Sequence, residues 1–105
     1  MRLHAVVTLF SDLDAAELSG WIERRWVRPE PVGEDYVFAD IDVARVRLVY
    51  DMRRAMAVDE DTVPLVLSLL DQVLELRDAM AAISSALDTQ PVAREAVRDA
   101  LARRH

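Results

Sequence analysis

The 105-residue chain has no cysteine and no lysine, only two glycines and only six aromatic residues. Without cysteine there is no disulfide framework and no thiolate metal site, which fits a reducing compartment. Gly20 and Gly33 are too few for a glycine-rich phosphate loop, and His4 and His105, far apart in the chain, form no paired metal-ligand motif and read as surface residues. Ser84 and Ser85 have no histidine nearby in sequence. The many carboxylates do not make a catalytic pair unless burial shifts them. No catalysis, cofactor or metal is therefore expected. No apolar run is long enough to span a bilayer. The opening segment MRLHAVVTLF passes into acidic SDLDAAE without a small-residue cleavage pattern, which does not read as a signal peptide. The expectation is a cytoplasmic protein with one modest core. That all thirteen basic residues are arginine is given no functional meaning.

The net charge of −6 is unevenly spread. Residues 1 to 58 hold eight arginines against ten acids, residues 59 to 88 one against seven, and residues 89 to 105 four against two. Affinity for nucleic acid comes largely from neutralising phosphate, so this balance disfavours that partner and favours a basic one.

Periodicity supplies the elements. Leu3, Val6, Val7 and Phe10 stand at helical spacing. A second helix follows a Ser or Asp cap, with Glu17 three positions after Asp14, and buries Leu18 and Ile22, with Trp21 either joining them or left at the surface. From Trp26 to Phe38 two β-prone segments, WVRPE and DYVFA, flank Pro31 and Gly33. That reads as a small hairpin, with Trp26 or Val27 and Tyr36 or Phe38 facing inward. Asp40 or Asp42 caps a third helix carrying Val43, Val46, Val49, Met52 and Met56. Its arginines are read as a solvated face, with Asp51 pairing Arg54 or Arg47. Helix, helix, hairpin, helix is the order of a winged helix-turn-helix.

The acids Asp59 to Asp61 then complement the dipole of a fourth helix, from about residue 61 to Leu87, with Pro64 in its first turn. Leu67, Leu70 and Leu74 widen its apolar stripe near the start. Val73, Leu76, Met80, Ile83 and Leu87 continue as a narrow seam. A last helix, begun by Thr89 and Pro91 and bearing Val92, Ala96, Val97 and Leu101, can fold back on that seam. A homodimer coiled coil is the other solution and the favoured one.

The ordered stretches ELSGWIERRWVRPE and YVFADIDVARVRLVYDMRRAMAVDEDTVPLVLSLLDQVLELR carry a resemblance. They contain Val27 and Pro29 after a tryptophan-rich helix end, Tyr36 and Phe38 before Asp40, the arginines of DMRR, and LSLLDQ. The chain resembles the CbpM-type chaperone modulators, themselves similar to the MerR family of winged-helix regulators. The likeness covers about three quarters of the length, and residues 1 to 13 and 88 to 105 add little to it. It implies a mainly all-α fold: a MerR-like winged helix-turn-helix with a small β-hairpin wing over residues 1 to 58, then a long helix and a C-terminal helix over 59 to 105, packed as one domain. It also implies binding to the J-domain of a DnaJ-like co-chaperone, inhibiting its stimulation of Hsp70.

J-domains typically present a basic helix to Hsp70, so acids are the candidate contacts: Asp12, Asp14 and Glu17 on the second helix, and Glu30, Glu34 and Asp35 on the wing. Trp21 is added as an aromatic anchor, whereas Trp26 is assigned to the core. The alternative is a MerR-like DNA-binding regulator using Arg24, Arg25, Arg28, Arg45 and Arg47. Against it, the second helix opens with acids and the wing tip carries Glu34 and Asp35.

Overall fold

A computed structural model describes residues 1–104, so His105 lies outside the described residues. The fold is mainly helical, with one small antiparallel hairpin. In chain order it contains α1 (Leu3–Val7), α2 (Ala15–Glu23), β1 (Glu30–Val32), β2 (Asp35–Val37), α3 (Asp40–Arg54), α4 (Val63–Leu87) and α5 (Pro91–Ala102). No helix among the described residues is long and apolar enough to cross a membrane. The chain divides into two compact units, Met1–Leu67 and Ser68–His105.

In the first unit, α1 is shorter than its apolar spacing suggests. The Thr8 hydroxyl donates to the Ala5 carbonyl at 2.7 Å, and Leu9 and Phe10 bond back only three residues. This tighter turn still sends Phe10 into the core beside Val6. Of the two possible caps for α2, the chain uses Asp14, whose carboxylate accepts from the Glu17 amide at 2.8 Å. Leu18 and Trp21, one turn apart, are both buried. The helix ends with the Trp26 amide bonded to the Trp21 carbonyl and Arg25 in the left-handed region at φ 61°. Glycine usually fills that place. The reversal turns Trp26, Val27 and Pro29 inward.

The strands pair Glu30 with Val37, Pro31 with Tyr36 and Val32 with Asp35. Pro31 thus lies inside β1 rather than in the turn. The turn is Gly33 and Glu34, with Gly33 at φ 61°, and a positive φ at the first loop residue alone is the pattern of a type II′ turn. On the other side of β2, Arg2 bridges to Val37, and the Phe38 amide donates to the Met1 carbonyl at 2.7 Å.

The N-cap of α3 is Ala39, with neither Asp40 nor Asp42 in that position. Alanine offers no side-chain acceptor, and Asp42 compensates from inside the first turn by accepting the Ala39 amide at 2.8 Å. Val46, Val49 and Met52 are buried and Val43 packs beside them. Met56 falls past the helix end and is exposed, so the apolar stripe stops at Met52. The connection to α4 is held by the Arg53 guanidinium on the Val58 carbonyl at 2.7 Å and by Asp59, which accepts from the Thr62 amide at 2.8 Å. Those bonds to Thr62 keep the Asp59 carboxyl below its usual pKa. Helix α4 begins at Val63, with Pro64 in the first turn. Val63 and Leu67 enter the same core, and this carries the first unit to Leu67.

The second unit contains the rest of α4 and α5. Thr89 does not begin α5; its hydroxyl turns back to the Ala86 carbonyl at 3.0 Å, and Pro91 opens the helix. Arg94 reaches Asp88 at 3.4 Å. Met80, Ile83, Ser84 and Leu87 of α4 and Arg94, Val97, Arg98 and Leu101 of α5 line one groove. Not one residue from 68 to 104 is buried. Val73, Leu76, Met80 and Ile83 each remain at least half exposed, and Leu87 is half-buried.

Candidate functional site

The acids chosen from the sequence divide into structural and presented groups. Asp14 is occupied as the α2 cap. Glu17 is joined to Arg54 by two hydrogen bonds, at 2.6 and 3.0 Å. The same guanidinium donates to the Asp12 carbonyl at 3.0 Å and lies over the Tyr50 ring. The hydrogen bond with Glu17, reinforced by the two opposite charges, raises the Arg54 pKa above its already high ordinary value. Arg54 therefore ties α3 to the α1–α2 turn. It does not pair with Asp51, and it is no solvated bystander. Asp12 is exposed but bent, at φ 62°.

Trp21 is not an exposed anchor, being only 3% accessible. It is three residues after Leu18, and both point to one core. Trp26 is buried as well, as its place beside the hairpin suggests.

Glu30 and Glu34 are exposed on the hairpin and Asp35 is half-buried, with one oxygen accepting its neighbour's amide, that of Tyr36, at 2.7 Å. Beside them are residues the periodicity did not single out for binding. Val32 is 42% exposed on β1, and Ile41 is 66% exposed in the first turn of α3, between Asp40 and Asp42. Ile41 stands two positions before Val43 and so off its face, which is the signal that marks it as outward. The hairpin exposes Glu30, Val32 and Glu34, and the first turn of α3 exposes Asp40 and Ile41.

The five candidate DNA-binding arginines are not gathered into one basic face. Arg24 pairs with Glu60 at 3.1 Å and lies over the Trp26 ring. Arg45 donates to the Trp26 carbonyl at 2.6 Å, and Arg47 lies over Phe10. Arg25 and Arg28 line a separate shallow groove with Ile22, Glu23, Val27, Pro29 and Tyr36. Sequence spacing could not reveal the contacts of Arg24 with Glu60, Arg45 with Trp26 or Arg47 with Phe10, because those partners lie far along the chain.

Among the described residues, no group of three or more His, Cys, Asp or Glu side chains is placed to hold a metal ion. No family model, curated protein or solved structure matched the chain in the three comparisons made.

Proposed function

We propose that the protein is an inhibitory adaptor that uses its acidic wing and the adjoining start of α3 to bind the J-domain of a DnaJ-like co-chaperone. Occupying that domain would block its stimulation of Hsp70. The fold in this reading is a MerR-like winged helix-turn-helix, with β1 and β2 as the wing. One observation carries the choice of partner: the hairpin and the first turn of α3 expose the acids Glu30, Glu34 and Asp40 and the aliphatic Val32 and Ile41, while Arg24, Arg45 and Arg47 are engaged within the protein. A basic helix complements such a patch, and phosphate does not. The aliphatic pair supplies apolar contact that charge alone lacks. Asp14 and Glu17, assigned to the cap and the Arg54 latch, pass from contact residues to residues that shape the module.

The test is reconstitution. The purified chain should form a stoichiometric complex with a J-domain and suppress J-domain-stimulated ATP hydrolysis by Hsp70. Reversing Glu30 and Glu34 to arginine should weaken the complex by roughly tenfold or more, about 1.4 kcal/mol, with the helical circular dichroism unchanged. Absence of a complex at micromolar concentration and low salt would sink the proposal. A sequence-dependent gel shift with DNA would replace it by the regulator reading.

A further inference from the structure

We propose that the groove at the end of α2 is a docking site for the C-terminus of a partner polypeptide, with Arg25 and Arg28 holding the terminal carboxylate and the apolar lining taking the last side chain. The proposal stands apart from the co-chaperone reading, which uses the acids of the hairpin and the first turn of α3.

The backbone builds the site. At the end of α2 the Arg25 amide donates to the Ile22 carbonyl and the Trp26 amide to the Trp21 carbonyl, both at 3.0 Å. This reversal buries Trp26 and Val27 and leaves exposed the arginines on either side of them, Arg25 and Arg28. Both arginines line one groove of about 290 Å³. Glu23 completes its charged lining, and its apolar lining is Ile22, Val27, Pro29 and Tyr36.

Most arginines of the first unit are engaged within the protein. Arg24 pairs with Glu60, Arg45 and Arg53 donate to backbone carbonyls, Arg47 lies over the Phe10 ring and Arg54 holds Glu17. The Arg25 guanidinium makes no hydrogen bond or ion pair among the described residues. Yet Arg25 is held at φ 61°, a conformation that glycine adopts without steric cost. Asp12 and Ala57 share a positive φ, so the conformation alone assigns nothing. At Arg25 it coincides with a guanidinium that has no partner in the protein and with a place in the lining of a groove. Backbone strain of this kind gathers at ligand-binding positions.

Charge and size choose the ligand. Two arginines against Glu23 give the lining a net +1, inside a unit that carries thirteen acids against eight arginines over residues 1 to 67, a net −5. A dianionic phosphate exceeds that charge and is repelled by its surroundings. A single carboxylate matches it, and a guanidinium can hold a carboxylate through two parallel hydrogen bonds. The apolar lining calls for an apolar group beside the charge. A C-terminal residue carries both on one carbon, whereas an internal Asp or Glu ends in its charge and has no apolar group beyond it. Pockets for small molecules usually span about 300 to 1,000 Å³ and enclose most of the ligand. A shallow groove of about 290 Å³ covers only one face of what it holds, which suits a chain end whose remainder stays in solvent.

The test is fluorescence polarisation of the full chain with labelled pentapeptides ending in Val, Leu or Phe, each as the free acid and as the C-terminal amide. At least one free acid should bind saturably below millimolar concentration and roughly tenfold or more tighter than its amide. Arg25→Gly and Arg28→Gln should each weaken that binding by roughly tenfold or more. For Arg25→Gly the loss should accompany a raised urea midpoint, a combination that misfolding cannot produce. Equal affinity for acid and amide, no binding of any free acid at millimolar concentration, or unchanged affinity in Arg25→Gly overturns the proposal. Displacement of the peptide by an equimolar amount of inorganic phosphate or duplex DNA overturns it as well.

Discussion

Single residues carry much of the architecture through backbone contacts. Arg25 occupies a left-handed position at the end of α2, where an L side chain is disfavoured by about 1 to 2 kcal/mol. Arg25→Gly is therefore expected to raise stability by about 0.5 to 1 kcal/mol in urea unfolding, the gain reduced by the greater freedom of glycine in the unfolded chain. A loss of stability would mean that the Arg25 side chain makes a compensating contact. Asp59 gives a pH signature. Its folded pKa lies below the ordinary value because its carboxylate accepts from Thr62. Its contribution is thus fully present above the unfolded pKa of about 3.9 and disappears as pH falls through the lowered folded value. Asp59→Asn keeps an acceptor but binds no proton. The melting-temperature advantage of wild type over this variant should be constant above about pH 5 and shrink in acid; a constant difference throughout would remove the proposed linkage.

Among the elements, α2 and α3 were legible because Leu18, Val46, Val49 and Met52 recur at helical spacing and are buried. The hairpin was legible from Gly33 and the β-prone residues around it. Asp42 as the compensating acceptor for an alanine cap was not, since several acids crowd that position. Nor was the Arg54 latch, whose partner Glu17 is 37 positions away; local rules reach only three or four. The outward placement of Glu30 and Glu34 was readable, but the exposure of Val32 and Ile41 needed the fold. The extent of the first core is the sharpest gain. Leu67 is 3% exposed and lies beyond residue 58, so Leu67→Ala should destabilise the first unit by about 2 to 5 kcal/mol, read by tryptophan emission. Met56→Ala, at an exposed position, should change stability by less than about 0.5 kcal/mol. Equal effects at the two positions would contradict the assigned core.

For the whole molecule, the two units differ in what they bury and in charge. The first contains every fully buried side chain and most of the negative charge, and the second contains neither. Binding of a basic partner is accordingly expected to weaken as salt rises, because exposed charges are screened beyond roughly 8 Å at physiological ionic strength. Self-association through an apolar stripe should not weaken under the same change. Calorimetric titration beside sedimentation, each at low and high salt, separates the two. A partner affinity indifferent to salt would move recognition away from the acidic wing.

The pairing of Arg2 with Val37 has a consequence for how the hairpin can be approached. With β1 on one side, the chain start bridged to Val37 on the other and the Tyr36 amide taken by the Asp35 carboxylate, β2 offers no free amide to a further strand. The one remaining edge belongs to β1, whose central residue is Pro31. Proline has no amide hydrogen to give a neighbouring strand, and a charged flank such as Glu30 further discourages pairing. An incoming chain therefore finds no main-chain ladder to extend. Recognition at this hairpin is confined to side chains, and the same closure guards the molecule against strand-to-strand aggregation.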